Sequence, residues 1–180
     1  MKSLKTEGII IRRRNIGEAD RIITVFTKYN GKLRIKAPGV RKITSRRSPH
    51  IELLNLSVLT LYNSSRSQVP ILTEAQTIYS FDIVKADLKK IGFAFYICEL
   101  IDKLCPDSQE NRSIFYLLKQ TLEELTYSNE SRVIDEFEEK ILSALGFMPY
   151  KHPLLDRQAF IEQILEEKLR TRDILPLLLS

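Results

Sequence analysis

Over the first 80 residues, apolar positions alternate with polar ones in short runs. After residue 80 they recur at helical steps. In "TEGIIIRRRNIGEADRIITVFTKYNGKLRIKAPG" three runs, Thr6–Arg14, Arg21–Lys28 and Lys32–Pro38, are rich in β-branched residues and bounded by Gly, Asn or Pro. That pattern predicts three strands. Asn30 and Gly31 both tolerate positive φ, so a type I′ hairpin turn is expected between the second and third. "IELLNLSVLTLY" (Ile51–Tyr62) and "VPILTEAQ" (Val69–Gln76) are two further strand candidates. Five short strands without a long helical pattern point to a small closed barrel.

Beyond residue 80, Val84, Leu88, Ile91, Phe95, Cys98, Ile101 and Cys105 fall on one helix face, and Pro106 ends the run. "NRSIFYLLKQTLEELTY" predicts a second helix with Ile114, Leu118, Leu122 and Leu125 on one side. "SRVIDEFEEKILSALGF" predicts a third, with Ser131 as its N-cap and Gly146 just past its end. A fourth is expected over Arg157–Thr171. The chain therefore reads as α+β, a barrel domain over 1–80 followed by an all-α helical domain over 81–180.

Charge divides at the same place. Residues 1–80 carry 15 Lys+Arg against 5 Asp+Glu, whereas residues 81–180 carry 13 against 18. The overall charge of +5 hints at an anionic partner. With 180 residues and 43% hydrophobic content, the chain can build one core or two small ones. Its two cysteines, Cys98 and Cys105, neither form a four-ligand zinc site nor suggest a disulfide-rich secreted domain. "MKSLKTEG" has no apolar signal region and no apolar run reaches the ~18 residues of a membrane span, so a cytoplasmic protein without a membrane partner is expected.

The basic surplus is densest in "GKLRIKAPGVRKITSRRS", residues 31–48, which contain no acid. Alternate strand residues share a face at intervals of roughly 7 Å. Lys32, Arg34 and Lys36 are thus expected in a row, with Leu33, Ile35 and Ala37 turned to the core. Such a row can follow a stretched phosphate backbone. The loop adds Arg41, Lys42, Arg46 and Arg47, and Arg12, Arg13 and Arg14 close the first strand. Binding of this kind is mostly electrostatic, steeply salt-dependent and poor in sequence information. Phe26, Tyr29 and Tyr62 are candidates for base stacking, set against core or rim positions. A solvated charged face, a membrane surface or an acidic protein tail would use the same cations.

The pattern "TEGIIIRRRNIGEADRIITVFTKYNGKLRIKAPGVRK" resembles the N-terminal domain of the RecO family of DNA repair proteins, notably "IGEADRI" and "TKYNGKLRIKAPGVRK". "LTEAQTIYSFDIVKADL", "FYICELIDKLCPD", "FEEKILSALGFMP" and "LRTRDIL" are similar to later parts of the family, more loosely. The resemblance implies an OB-fold barrel followed by a helical domain, in a recombination mediator that is not an enzyme. It implies binding of single- and double-stranded DNA, annealing of complementary strands, work with RecR, and loading of RecA on strands coated by single-strand binding protein, whose C-terminal tail the family binds. A nucleoid-associated cytoplasmic location follows. Many members carry a four-cysteine zinc site after the segment matching "LGFMP". Here "YKHPLLDRQAF" has no cysteine, so the zinc module is expected to be missing, with no metal and no cofactor.

Other features are weaker. Glu18 and Asp20 could form an acid/base or metal pair, but a loop with Arg21 balancing their charge is the simpler expectation. His50 and His152 stand alone as surface or packing residues. Cys98 and Cys105 are expected to be buried apolar residues. No nucleophile elbow, phosphate loop or HExxH motif occurs. The apolar tail "ILPLLLS" is expected to pack the chain end against the helices, with an apolar groove in the helical half for a short acidic-apolar peptide as the alternative. A protein-interaction adaptor and an RNA-binding OB-fold protein stand as alternatives.

Overall fold

Five strands form between Lys2 and Tyr79: β1 (Lys2–Ile16), β2 (Asp20–Thr27), β3 (Gly31–Ala37), β4 (Leu56–Asn63) and β5 (Ile71–Tyr79). The computed structural model describes residues 2–63, 67–148, 156–171 and 177. The strands close in the order β1-β2-β3-β5-β4 into a barrel of OB type. β1 is long enough to pair with β2 at one end and with β4 along the other. Closure between β3 and β5 rests on a single parallel pairing, Lys36 with Ile71, and the Lys36 amide donates to the Pro70 carbonyl at 2.9 Å. Ile10, Ile23, Val25, Ile35, Leu59 and Leu72 fill the interior, each fully buried.

Several local expectations change. The β2–β3 hairpin has a three-residue loop, Lys28–Asn30, and of its residues and those flanking it only Gly31 has positive φ (64°). It is therefore a looser turn than type I′. Thr27 organises it: its Oγ1 accepts from the Asn30 amide at 3.0 Å and donates to the Gly31 carbonyl at 2.7 Å. The fourth strand begins at Leu56, because Pro49 starts a 3-10 turn, Ser48–Ile51, that ends on buried Ile51.

The helices are α1 (Asp82–Ala86), α2 (Leu88–Leu104), α3 (Arg112–Glu124), α4 (Glu130–Ala144) and α5 (Arg157–Leu165). The first predicted helix is split at Asp87, whose carboxylate accepts from the amides of Lys89 and Lys90 and so starts α2 afresh. Asn129 caps α4 in place of Ser131, accepting from the Arg132 amide at 3.2 Å. Gly146 does end it, at φ 79°, with Phe147 and Gly146 amides bonded back to Leu142 and Ser143. The last helix stops at Glu166, which adopts φ 54°, short of the expected Thr171. Buried residues of α2–α4 include Tyr96, Leu100, Leu118 and Phe137.

The chain divides into two compact units. Met1–Phe81 with Cys105–Phe115 form the first, and Asp82–Leu104 with Tyr116–Ser180 the second. A boundary at residue 80 thus leaves out a segment, 105–115, that groups with the strands.

Candidate nucleic-acid interface

Strand register brings the first-unit cations together. Arg12 lies opposite Thr24 and Arg14 opposite Ile22 in the β1–β2 ladder. Arg34 lies opposite Thr24 and Lys36 opposite Ile22 in the β2–β3 ladder. Residues directly opposite share a face. Arg12 and Arg34 therefore flank Thr24 in one row, and Arg14 and Lys36 flank Ile22 in the next. All four cations are exposed. With strands about 4.8 Å apart, the array measures roughly 10 Å across and 7 Å along.

A loop of residues 38–47 borders this array. The Asp20 carboxylate accepts from the Gly39 amide at 2.8 Å, and the Arg41 amide donates to the Ala19 carbonyl at 2.9 Å. Arg41 Nη1 donates to the Gly17 carbonyl at 2.9 Å. The loop is thereby tied to the β1–β2 turn, and Arg41, Lys42 and Arg46 are exposed on it. The Gly39 hydrogen bond first, then Lys36, hold the Asp20 carboxyl below the usual range against the opposing effect of burial. Asp20 is a loop anchor, its carboxylate engaged by the Gly39 amide and Lys36.

Not every cation named by the sequence stands ready for a ligand. Lys32 is 5% exposed, with its ammonium 3.1 Å from Asp107. It does not extend the open row of Arg34 and Lys36. Segment 105–111 covers it: the Ser108 amide donates to the Lys32 carbonyl, and a Cβ on Gly31 would lie 2.0 Å from the Gln109 carbonyl oxygen. Arg13 is on the opposite strand face from Arg12 and Arg14, 2.6 Å from Glu52, with Arg21 on the same carboxylate at 3.7 Å. Arg47 donates to the Leu72 and Pro38 carbonyls, both at 2.6 Å, and staples the loop to the barrel.

Arg34 and Lys36 also meet acids, Asp107 at 3.4 Å and Asp20 at 3.3 Å, but their side chains are 64% and 46% exposed. Such pairs are worth about 0–1 kcal/mol, so a phosphate can displace the carboxylate. Lys32 differs because its own side chain is buried, although its partner Asp107 is half-exposed, and that burial assigns Lys32 to the fold.

Phe26 is fully buried and cannot stack on a base. Tyr29 is 46% exposed, with Arg112 4.7 Å and Lys28 5.2 Å from its ring centre. Tyr62 is half-buried. A cleft beside β3 is lined by Tyr29, Leu33, Arg34, Gln68, Pro70 and Asp107 among others. His50 is half-buried, its Nδ1 accepting from the Thr77 amide at 3.2 Å, so it packs as expected. His152, most of "ILPLLLS" and the end of "LRTRDIL" lie outside the described residues.

Residues 1–81 match the family model described as recombination protein O N terminal, and residues 85–152 its C-terminal counterpart. The chain belongs to the recombination protein O family. It is 38% identical over 149 residues to the DNA repair protein RecO of Roseiflexus sp., covering 81% of this chain and 50% of the relative. It is 37% identical over 146 residues to that of Dehalococcoides mccartyi, covering 81% and 57%. The chain thus spans about half the length of the curated relatives it matches.

A four-cysteine zinc site, as the resemblance implies for many members, needs more thiols than the two in this sequence. These two cysteines are both buried, and burial raises the Cys98 thiol to about 12 and the Cys105 thiol to about 11. Both are protonated near neutrality, whereas zinc binds thiolate. Among the described residues no group of three or more His, Cys, Asp or Glu is placed to hold a metal ion. No helix among them is long and apolar enough to cross a membrane.

Proposed function

We propose that this RecO chain binds single- and double-stranded DNA on the open face of β1-β2-β3 and the loop beside it. Arg12, Arg14, Arg34, Lys36, Arg41, Lys42 and Arg46 are the contacts. The register that sets Arg12 and Arg14 across β2 from Arg34 and Lys36 carries the reading. Cations at that spacing neutralise phosphates and release counterions, giving affinity with little sequence preference. Two strands held this way repel each other less, and complementary bases can pair. The protein makes and breaks no covalent bond in this process. In the cell the same activity serves recombinational repair, with RecR as partner, the tail of single-strand binding protein as a docking ligand of the helical unit, and RecA loaded downstream.

Annealing of complementary oligonucleotides tests the assignment. Replacing Arg14, Arg34, Lys42 and Arg46 together by Glu should weaken DNA binding by about a thousandfold at low salt and flatten its dependence on salt. Annealing should fall with it, while circular dichroism and the melting midpoint stay near wild type. Annealing at the wild-type rate by this variant would refute the assignment. Equal, weak binding of DNA and RNA by the unmodified chain would favour an adaptor role.

A further inference from the structure

Among the exposed large apolar residues Ile43 stands apart, at 105% of its reference surface. It sits at the second position of a turn, Lys42–Ser45, closed by the Ser45 amide on the Lys42 carbonyl at 2.9 Å. Corners of such turns are ordinarily filled by Pro, Asp, Asn, Ser or Gly, each for a backbone reason. Isoleucine supplies none of these, and at that exposure it has no packing role.

A lone apolar side chain on a surface is common and argues nothing by itself. Its setting here does. Arg41, Lys42 and Arg46 surround Ile43 in sequence and are all exposed. Both ends of the loop are fixed, by Gly39 and Arg41 on the β1–β2 turn and by Arg47 on the Leu72 and Pro38 carbonyls. Val40, inside the loop, is fully buried. The tip is therefore held in place without any apolar contact of its own, so little ordering is needed when it meets a ligand. An apolar side chain presented between phosphate-binding cations is the chemistry that parts a base step.

We propose that Ile43 is a wedge that enters between two neighbouring bases of the DNA held by the loop cations and breaks their stack. The inference rests on the DNA-binding reading above and adds a step that phosphate contacts cannot perform, because they position a strand without altering its stacking. Burying the side chain offsets much of the cost of parting the bases, so insertion changes base conformation more than affinity.

The test uses the full chain with an oligonucleotide, single-stranded and as duplex, carrying 2-aminopurine at spaced positions. Stacking quenches this base. Wild type should raise its fluorescence at saturation, and Ile43→Met should keep the rise. Ile43→Ser should lose it, while Kd increases by no more than about threefold and the salt slope holds, since no phosphate contact is removed. Because the side chain is exposed, neither variant disturbs the fold. A full fluorescence rise in Ile43→Ser would overturn the wedge and leave the cation assignment standing. Failure of wild type to bind either DNA at low salt would overturn both. Loss of binding to anionic lipid vesicles in Ile43→Ser, with the DNA signal unchanged, would assign the residue to a membrane surface and also overturn the proposal.

Discussion

The two units put charge to different uses. In the barrel unit three acids restrain cations: Glu52 meets Arg13 and Arg21, Asp107 meets Lys32 and Arg34, and Asp20 meets Lys36. In the helical unit two carboxylates gather chain segments. Glu99 accepts from the Arg170 amide at 2.8 Å, the Thr171 amide at 2.9 Å and the Thr171 hydroxyl at 2.6 Å. Glu138, 3% exposed, accepts from the Tyr96 hydroxyl at 2.6 Å and Arg157 Nε at 3.3 Å, and so links α2, α4 and α5. Net charge alone does not describe a surface. What reaches a ligand is the surplus left after buried groups have been satisfied.

The comparison is broken most severely at Gly31. Its positive φ and the backbone of Gln109 leave no room for a side chain. Gly31→Val should cost about 3 kcal/mol, measured by urea unfolding, and release Lys32 from Asp107. Wild-type stability in that variant would mean that segment 105–111 does not depend on this close approach.

A smaller effect separates two adjacent residues. Arg47→Ala removes two hydrogen bonds to backbone carbonyls and should cost about 1–2 kcal/mol of stability. Arg46→Ala should leave the melting midpoint in place and reduce the slope of log affinity against log salt by about one. Equal behaviour of the two variants in both assays would erase the distinction between structural and ligand-facing cations.

The subtlest effect lies in the pH response of the helical unit. Burial raises the Glu138 carboxyl above its ordinary 4.5, more than its bonds to Tyr96 and Arg157 lower it. Its contribution is full below that ordinary value and is lost as pH rises through the raised one. Glu99 is opposite: burial pushes it up, but bonds from Thr171, Arg170 and Lys103 outweigh this and leave it lowered. Its contribution is present above the ordinary value and is lost as pH falls through the lowered one. Urea midpoints measured across acidic pH should show Glu138→Gln flattening the loss on the alkaline side and Glu99→Gln flattening the loss on the acid side. Identical profiles for both variants would show that neither carboxylate behaves as its surroundings dictate.

Much of this molecule was legible along the chain. Alternation around Ile23, Val25 and Ile35 located barrel strands, and helical spacing of Ile114, Leu118 and Leu122 located α3, because each pattern is imposed within a few residues. The candidate site was legible only in part. Arg34 and Lys36 share a face by period alone, but nothing local says that Arg12 and Arg14 lie across β2 from them. Lys32 reads as the first member of that row, and segment 105–111, far along the chain, removes it by covering it and placing Asp107 beside its ammonium. Arg46 and Arg47 are indistinguishable as letters. A bulge in β1 and the covering of Gly31 by Gln109 left no signal beyond the glycine itself.

The amino-acid order determined a basic β half, an acidic helical half and a cation-dense loop, since composition and periodicity are properties of short segments. Tertiary structure decided which cations remain outward. Strand pairing and segment 105–111 bring together residues from distant parts of the chain, and burial then turns some charges into internal ties while leaving the rest exposed.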